Sequence, residues 1–493
     1  MKHPLRIALT AATAAALTGG LLTLTAAPAS AAPSGLDSDF NGDGYRDVAV
    51  SAPYAAVASA DQAGAVVISY GSAKGLDSAN SQLISQSSSA VPGASEKDDL
   101  FGFATASGDF NSDGYADLAV GAAAEDTTTG VGTGENSGAV TVLWGSSSGL
   151  SGGTALELPP LNYPVGYGSA LAVGDFDGDG RADLAVGSNG SNGVFIYYGG
   201  TQKSGTLAGR HGFAATALDE SSNITSLAAG DINGDGLADL VVGGNNDKDY
   251  LKQSVYLSPG TRLTFSHAGD VSHGTAAAVG DIDGDGYADI VTGHSMEPHA
   301  FLPGTSLGGN VTLTYGSATG PDTSRMPVTI TQDTTGIPGA SEANDAFGYS
   351  VTLGDINGDG HADLAVGAPY ETVGTEEATG SVTVIPGAAA GLSTGTSYAY
   401  NQGSADVPGA SEGGDWFGSA VRLTDTNGDA KADLAVGGAG ENNHLGALWS
   451  LKGAATGLTT TGAVSYSGTT AGVATTGHPE FGSRVSDASV CDV

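Results

Sequence analysis

The sequence predicts an all-β protein, a seven-bladed β-propeller of four-stranded antiparallel blades whose ring is closed by a C-terminal strand. Three observations carry that expectation. A nine-residue pattern, D-x-[ND]-x-D-x-x-x-D, occurs seven times, starting at Asp39, Asp109, Asp175, Asp231, Asp281, Asp355 and Asp425. The starts lie 70, 66, 56, 50, 74 and 70 residues apart. Self-similarity at such a period is the mark of a repeat architecture. The runs between the loops are short, β-rich and bounded by Gly, Ser, Asp and Pro, with no 3.6-residue helical period.

Each unit follows one order. A short apolar strand such as Tyr349-Ser350-Val351-Thr352-Leu353 leads into the acidic loop. Asp363-Leu364-Ala365-Val366-Gly367 follows it, and then the alternating stretch Ser381-Val382-Thr383-Val384-Ile385. A fourth strand is expected after the turn Gly387-Ala388-Ala389-Ala390-Gly391. Four strands in a unit of this length, repeated around the chain, are the sequence pattern of a propeller. Phe101-Gly102, Phe347-Gly348 and Phe417-Gly418 each precede an acidic loop, whereas Phe481-Gly482 has no loop after it. The first loop lacks such a pair, so the segment Phe481 to Val485 is expected to supply the innermost strand of blade 1.

Composition narrows the function. The 493 residues carry 53 Asp plus Glu against 16 Lys plus Arg, a formal charge of −37. Nucleic acid and anionic lipid are poor partners for such a chain, since both need clustered cations. Gly accounts for 80 residues, and a single cysteine, Cys491, excludes an internal disulfide. Residues 1–31 read as a secretory signal: Lys2, His3 and Arg6 form a basic head, an apolar stretch runs from Ile7 to Leu24, and Ala29-Ser30-Ala31 is the cleavage pattern. Residues 32–493 then form one propeller, expected to be secreted, monomeric and without a further membrane span. An extracellular chain without disulfides needs another means of holding its fold.

The acidic loops offer that means. Side-chain oxygens at positions 1, 3, 5 and 9, with a backbone carbonyl at 7, can converge on one hard cation; calcium accepts 6–8 oxygens in a tolerant geometry. The expected ligands are Asp39, Asn41, Asp43, Tyr45 and Asp47 in the first loop, and Asp109, Asn111, Asp113, Tyr115 and Asp117 in the second. The third supplies Asp175, Asp177, Asp179, Arg181 and Asp183, and the fourth Asp231, Asn233, Asp235, Leu237 and Asp239. The fifth supplies Asp281, Asp283, Asp285, Tyr287 and Asp289, and the sixth Asp355, Asn357, Asp359, His361 and Asp363. The seventh supplies Asp425, Asn427, Asp429, Lys431 and Asp433. About seven structural Ca2+ ions are therefore expected. Helical calcium loops of the EF-hand and dockerin kinds need an acidic ligand at position 12, where this chain has Val50, Val120, Val186, Val242, Thr292, Val366 and Val436. Those residues belong to strands. Ala430 replaces Gly at position 6 of the last loop, which should make that site the weakest, and Ser112 replaces Gly at position 4 of the second.

Together these motifs make the chain resemble the FG-GAP repeat family, the β-propeller of integrin α N-termini and of many secreted bacterial proteins. Blade 6 shows the pattern best: Phe347-Gly348, Gly354-Asp355-Ile356-Asn357-Gly358-Asp359-Gly360, then Gly367-Ala368-Pro369. Blades 3, 4 and 5 depart from it, with Tyr167-Gly168, no pair, and His273-Gly274 in place of Phe-Gly. The resemblance implies a calcium-bearing propeller that recognises an extracellular protein or polysaccharide, without catalysis of its own.

The alternative is an extracellular hydrolase or lyase acting on polysaccharide. Three G-x-S-x-G stretches, at Ser147, Ser306 and Ser393, lack the strand-turn-helix setting of a nucleophile elbow. His267, His273, His294 and His299 crowd blades 4 and 5 without metal-ligand spacing. Trp144, Trp416, Trp449 and the pair Tyr197-Tyr198 could stack on sugars or fill the core. Glu96, Glu342 and Glu412 recur within Pro-Gly-Ala-Ser-Glu, which reads as an inter-blade turn.

Overall fold

The computed structural model describes residues 34–487 and 489–490, apart from 127–133, 160–164, 191–192, 204–206, 216–217, 219–222, 246–250 and 299–301. The expected signal segment, Cys491 and His299 lie outside the described residues. Seven antiparallel sheets follow one another along the chain, six of them built inner strand first. Blade 2 is typical: Phe101–Gly108, Asp117–Ala122, Ala139–Trp144 and Ser151–Ala155 pair in that order. Blades 3 and 4, whose Phe-Gly motifs are degraded or missing, are complete four-stranded sheets as well. Blade 5 adds a two-residue hairpin, Gly316–Ser317 with Gly320–Pro321. Among the described residues the only helices are the 3-10 turn Thr394–Thr396 and the four-residue Glu441–His444. No helix among them is long and apolar enough to cross a membrane.

Closure occurs where the sequence placed it. Val50 pairs with Val485 and Ser51 with Arg484, so the last segment is the innermost strand of blade 1. Phe481 is fully buried and bridges to Gly446 of blade 7, as Phe347 bridges to Gly309 and Phe417 to Gly380. The chain then continues inside the ring. Asp487 accepts from the Ser107 N–H at 2.8 Å and the Ser107 hydroxyl at 2.6 Å, and Ser489–Val490 pairs with the inner strand of blade 6. Nothing in the sequence pattern singled out this fifth strand.

The apolar core is divided into seams between neighbouring blades. Middle strands of the type Asp-Leu-Ala-Val-Gly-Ala are buried on both faces, so they read as continuous apolar runs. Phe40, Phe110, Phe176, Ile232, Ile282 and Ile356, at position 2 of their loops, are fully buried. Phe40, for example, packs with Ile68 of blade 1 and with Phe101 and Leu118 of blade 2. Because strand 1 ends at the acidic loop and strand 2 returns from it, all seven loops lie on one face. The Phe-Gly pairs and the ends of the second strands lie on the other.

Candidate metal centre

Each acidic loop is shaped by its own carboxylates. The position-1 aspartate accepts the N–H of position 6 at 2.8–3.0 Å in all seven loops. The position-5 aspartate accepts the N–H of position 7 at 3.0–3.1 Å. Wrapping the chain this tightly requires a left-handed residue at position 6, where Gly360 has φ +86°. Ala430 is held there at φ 63°, as the sequence led us to expect. The equivalent glycines Gly44, Gly180, Gly236, Gly286 and Gly360 would place a Cβ with nothing within 4 Å, so the cost of Ala430 is conformational. Ala430→Gly should therefore raise stability by about 1 kcal/mol, read from the shift in denaturant midpoint.

The position-9 aspartate has a second duty, which the spacing did not reveal. It is buried in every loop. One oxygen accepts the N–H of position 2 at 2.8–3.2 Å. The other accepts the N–H at the end of the third strand at 2.7–3.0 Å, from Gly71, Gly145, Gly199, Ser258, Gly316, Gly387 and Gly453. The aspartate thus latches the loop to its own blade; in loops 2 and 7 its oxygens also accept from the Nδ2 of Asn111 and of Asn427. Burial, assisted by the neighbouring carboxylates, pushes Asp47 and Asp117 up to about 8 and Asp183 and Asp289 to about 7.

The loops are also chained around the ring. The position-1 carbonyl of one loop accepts the position-8 N–H of the next: Ala116 to Asp39, Ala238 to Asp175, Ala288 to Asp231, Ala362 to Asp281 and Ala432 to Asp355. Ser72 N–H to the Thr426 carbonyl, at 3.1 Å, joins blade 1 to blade 7.

The donor set fits a hard divalent cation. Asp175, Asp177 and Asp183 offer oxygens within 4.8 Å of one another, as do Asp281, Asp283 and Asp285. Oδ1 of Asp283 is buried without a hydrogen-bond partner, the condition of an atom suited to a ligand role. Only loops 3 and 5 have Asp instead of Asn at position 3, and each faces an arginine. Arg262 donates to Asp177 at 2.8 Å and Arg325 to Asp283 at 2.7 Å. The extra negative charge is thereby offset locally.

Five segments, 35–69, 101–143, 273–312, 347–385 and 417–451, match the FG-GAP repeat, and 175–242 matches an FG-GAP-like repeat. Together they span more than half of the 493 residues. The chain belongs to the FG-GAP repeat family. Its repeats are 36% identical over 152 residues to rat phosphatidylinositol-glycan-specific phospholipase D, covering 31% of this chain and 17% of the relative. They are 36% identical over 168 residues to Drosophila melanogaster integrin alpha-PS5, covering 32% of this chain and 15% of the relative. These FG-GAP repeats thus correspond to a small part of either relative. Among solved structures, an Agrocybe aegerita lectin that recognises non-reducing terminal N-acetylglucosamine aligns over 85% of this chain and 89% of its own, at 16% identity and TM-score 0.45.

The remaining sequence candidates do not assemble into one site. Ser147 lies in a repeated turn closed by Ser146 Oγ donating to the Gly149 carbonyl at 2.7 Å. Trp144, Trp449, Tyr197 and Tyr198 are buried, whereas Trp416 is only half-buried. His267 approaches Asp270 at 2.9 Å. His294 is 1% exposed, and burial pushes its pKa down to about 4. A histidine whose folded pKa is depressed contributes stability above its unfolded value near 6.5, and that stability is lost as pH falls toward 4. Wild type should lose up to about 3 kcal/mol across that window that His294→Phe keeps, measured as the pH dependence of the denaturant midpoint.

Proposed function

We propose that this FG-GAP protein is a secreted, calcium-stabilised recognition propeller that binds an extracellular polysaccharide or protein as a monomer and performs no chemistry of its own. Secretion follows from the basic head, apolar stretch and Ala29-Ser30-Ala31 of the N-terminal segment. The seven loops would each hold one Ca2+ through the side chains at positions 1, 3, 5 and 9 and the carbonyl at 7. Bound there, the ion supplies positive charge and oxygen coordination; the chain's own residues position the loop, latch it to the blade and tie it to the next blade.

The observation that carries recognition is an aromatic ladder on the face opposite the loops. Tyr349, Tyr370, Trp416, His444 and His478 follow one another edge to face, with centroids 6.0, 5.6, 4.7 and 5.2 Å apart. All five are half-buried or exposed. Aromatic faces and edges arranged along a rim suit the C–H faces of sugar rings or an apolar protein side chain. A glycan and matrix-protein array, run in calcium with wild type and Trp416→Ala, tests this reading. Capture by wild type that falls at least tenfold in the variant supports it. Release of shortened product from any polymer would establish the hydrolase or lyase instead.

A further inference from the structure

The face opposite the acidic loops carries a second carboxylate arrangement, repeated at three blade junctions. Between blades 1 and 2, Gln86 Nε2 donates to Glu125 Oε2 at 2.6 Å, and the Glu96 N–H donates to Asp99 at 2.6 Å. Between blades 5 and 6, Gln332 donates to Glu371, and the Glu342 N–H to Asp345 at 2.7 Å. Between blades 6 and 7, Gln402 donates to Glu441 at 2.6 Å and the Glu412 N–H to Asp415 at 2.6 Å. In each case 39 residues separate the glutamine from its glutamate. The aspartate carbonyl in turn accepts the N–H of the residue before that glutamate, from Ala124, Tyr370 and Gly440.

The other half of each amide is decisive. Gln86, Gln332 and Gln402 are 5, 3 and 2% exposed, and in all three Oε1 has no hydrogen-bond partner. Their Nε2 atoms lie against Glu125, Glu371 and Glu441, which leaves each Oε1 one amide width from a carboxylate; the Gln402 amide also donates to Asp415. An orphaned buried acceptor has lost its water and gained no partner in return. Three copies at one spacing, each beside acidic groups, are the arrangement of a ligand atom. Of the three junctions, only the first brings three carboxylates, Glu96, Asp99 and Glu125, to within 4.8 Å of one another. The donors are all oxygens, amide and carboxylate, which select hard cations over zinc or copper.

We propose that these three junctions form a second class of cation site, separate from the acidic loops, each taking one calcium-type divalent ion on the glutamine Oε1 and the neighbouring aspartate and glutamate carboxylates. The glutamine leaves the outer strand of one blade and the glutamate follows the second strand of the next, so an ion there cross-links adjacent blades. These sites are independent of whether the loops hold ions.

Counting calcium by atomic emission after equilibrium dialysis of the full chain tests it. Glu125→Gln should lose one ion per chain relative to wild type, and the triple variant E125Q/E371Q/E441Q should lose three. Asp281→Asn, in a loop, reports on the other class separately. An unchanged count in the triple variant overturns the proposal. Should that variant fail to fold, anomalous scattering from wild-type crystals grown in calcium decides: a peak beside Gln86 Oε1 supports the site, and its absence overturns it, whatever the loops show.

Discussion

Exhaustive chelation with EDTA is expected to lower the melting temperature by well over 10 °C and to abolish the cooperative transition at low ionic strength. The loops bring 23 side-chain carboxylates to one face of the ring. The position-9 members are buried and their protonation is favoured by that burial. Without ions the carboxylates of one loop, such as Asp281, Asp283 and Asp285, repel one another across a few ångströms. An ion present at a hundredfold excess over its Kd stabilises by about 2.7 kcal/mol, so three or four such sites approach the ~5–15 kcal/mol net stability typical of a domain. Because five of the loops are hydrogen-bonded to the next, loosening one of these loosens its neighbour. Returning calcium should restore the transition, and sodium chloride should restore part of it by screening. Identical melting with and without EDTA, followed by circular dichroism, would remove the loops from the account of stability.

The second large effect is expected at Phe481. Its ring is fully buried, faces Tyr466 at 6.1 Å and anchors the closing strand against blade 7. Phe481→Ala should cost about 3–5 kcal/mol. Removing residues 481–493 altogether should leave the innermost edge of blade 1 unpaired, and such an edge invites association with other chains. Equilibrium unfolding of the point variant and light scattering of the truncated chain provide the measurements. A truncated chain that stays monomeric and melts like wild type would show that closure contributes little.

Fold and loops were legible in the sequence for a physical reason. Aspartates at 1, 3, 5 and 9 with glycines between them leave the backbone few alternatives, and a β-branched residue such as Val366 at position 12 selects a strand over a helix after the loop. The unmatched Phe481-Gly482 pair identified the closing strand because each Phe-Gly belongs ahead of a loop. The middle blades kept four strands despite lacking Phe-Gly, since Leu240, Val241 and Val242 still fill the seams. The latch at position 9 was hidden, because its partners, such as Gly71 for Asp47, sit at the end of a strand 24 residues away. The glutamine junctions were half visible. Glu96, Glu342 and Glu412 stood out as a repeated turn, but only the folded chain brings Gln86 to Glu125. The constant separation of those two residues in three units was the signal available.

Blade 1 unites the two ends of the described chain, with Ala49 bonded to the hydroxyl of Ser486 across 437 residues. At ribosomal speeds of ~5–20 residues per second, the interval between making one and the other is roughly 20–90 s. The earliest strand to be translated is therefore the last to be completed, and its apolar edge must be shielded throughout that wait. For such a chain the arrival of the segment from Phe481 to Val485 is the step that commits blade 1, and with it the ring.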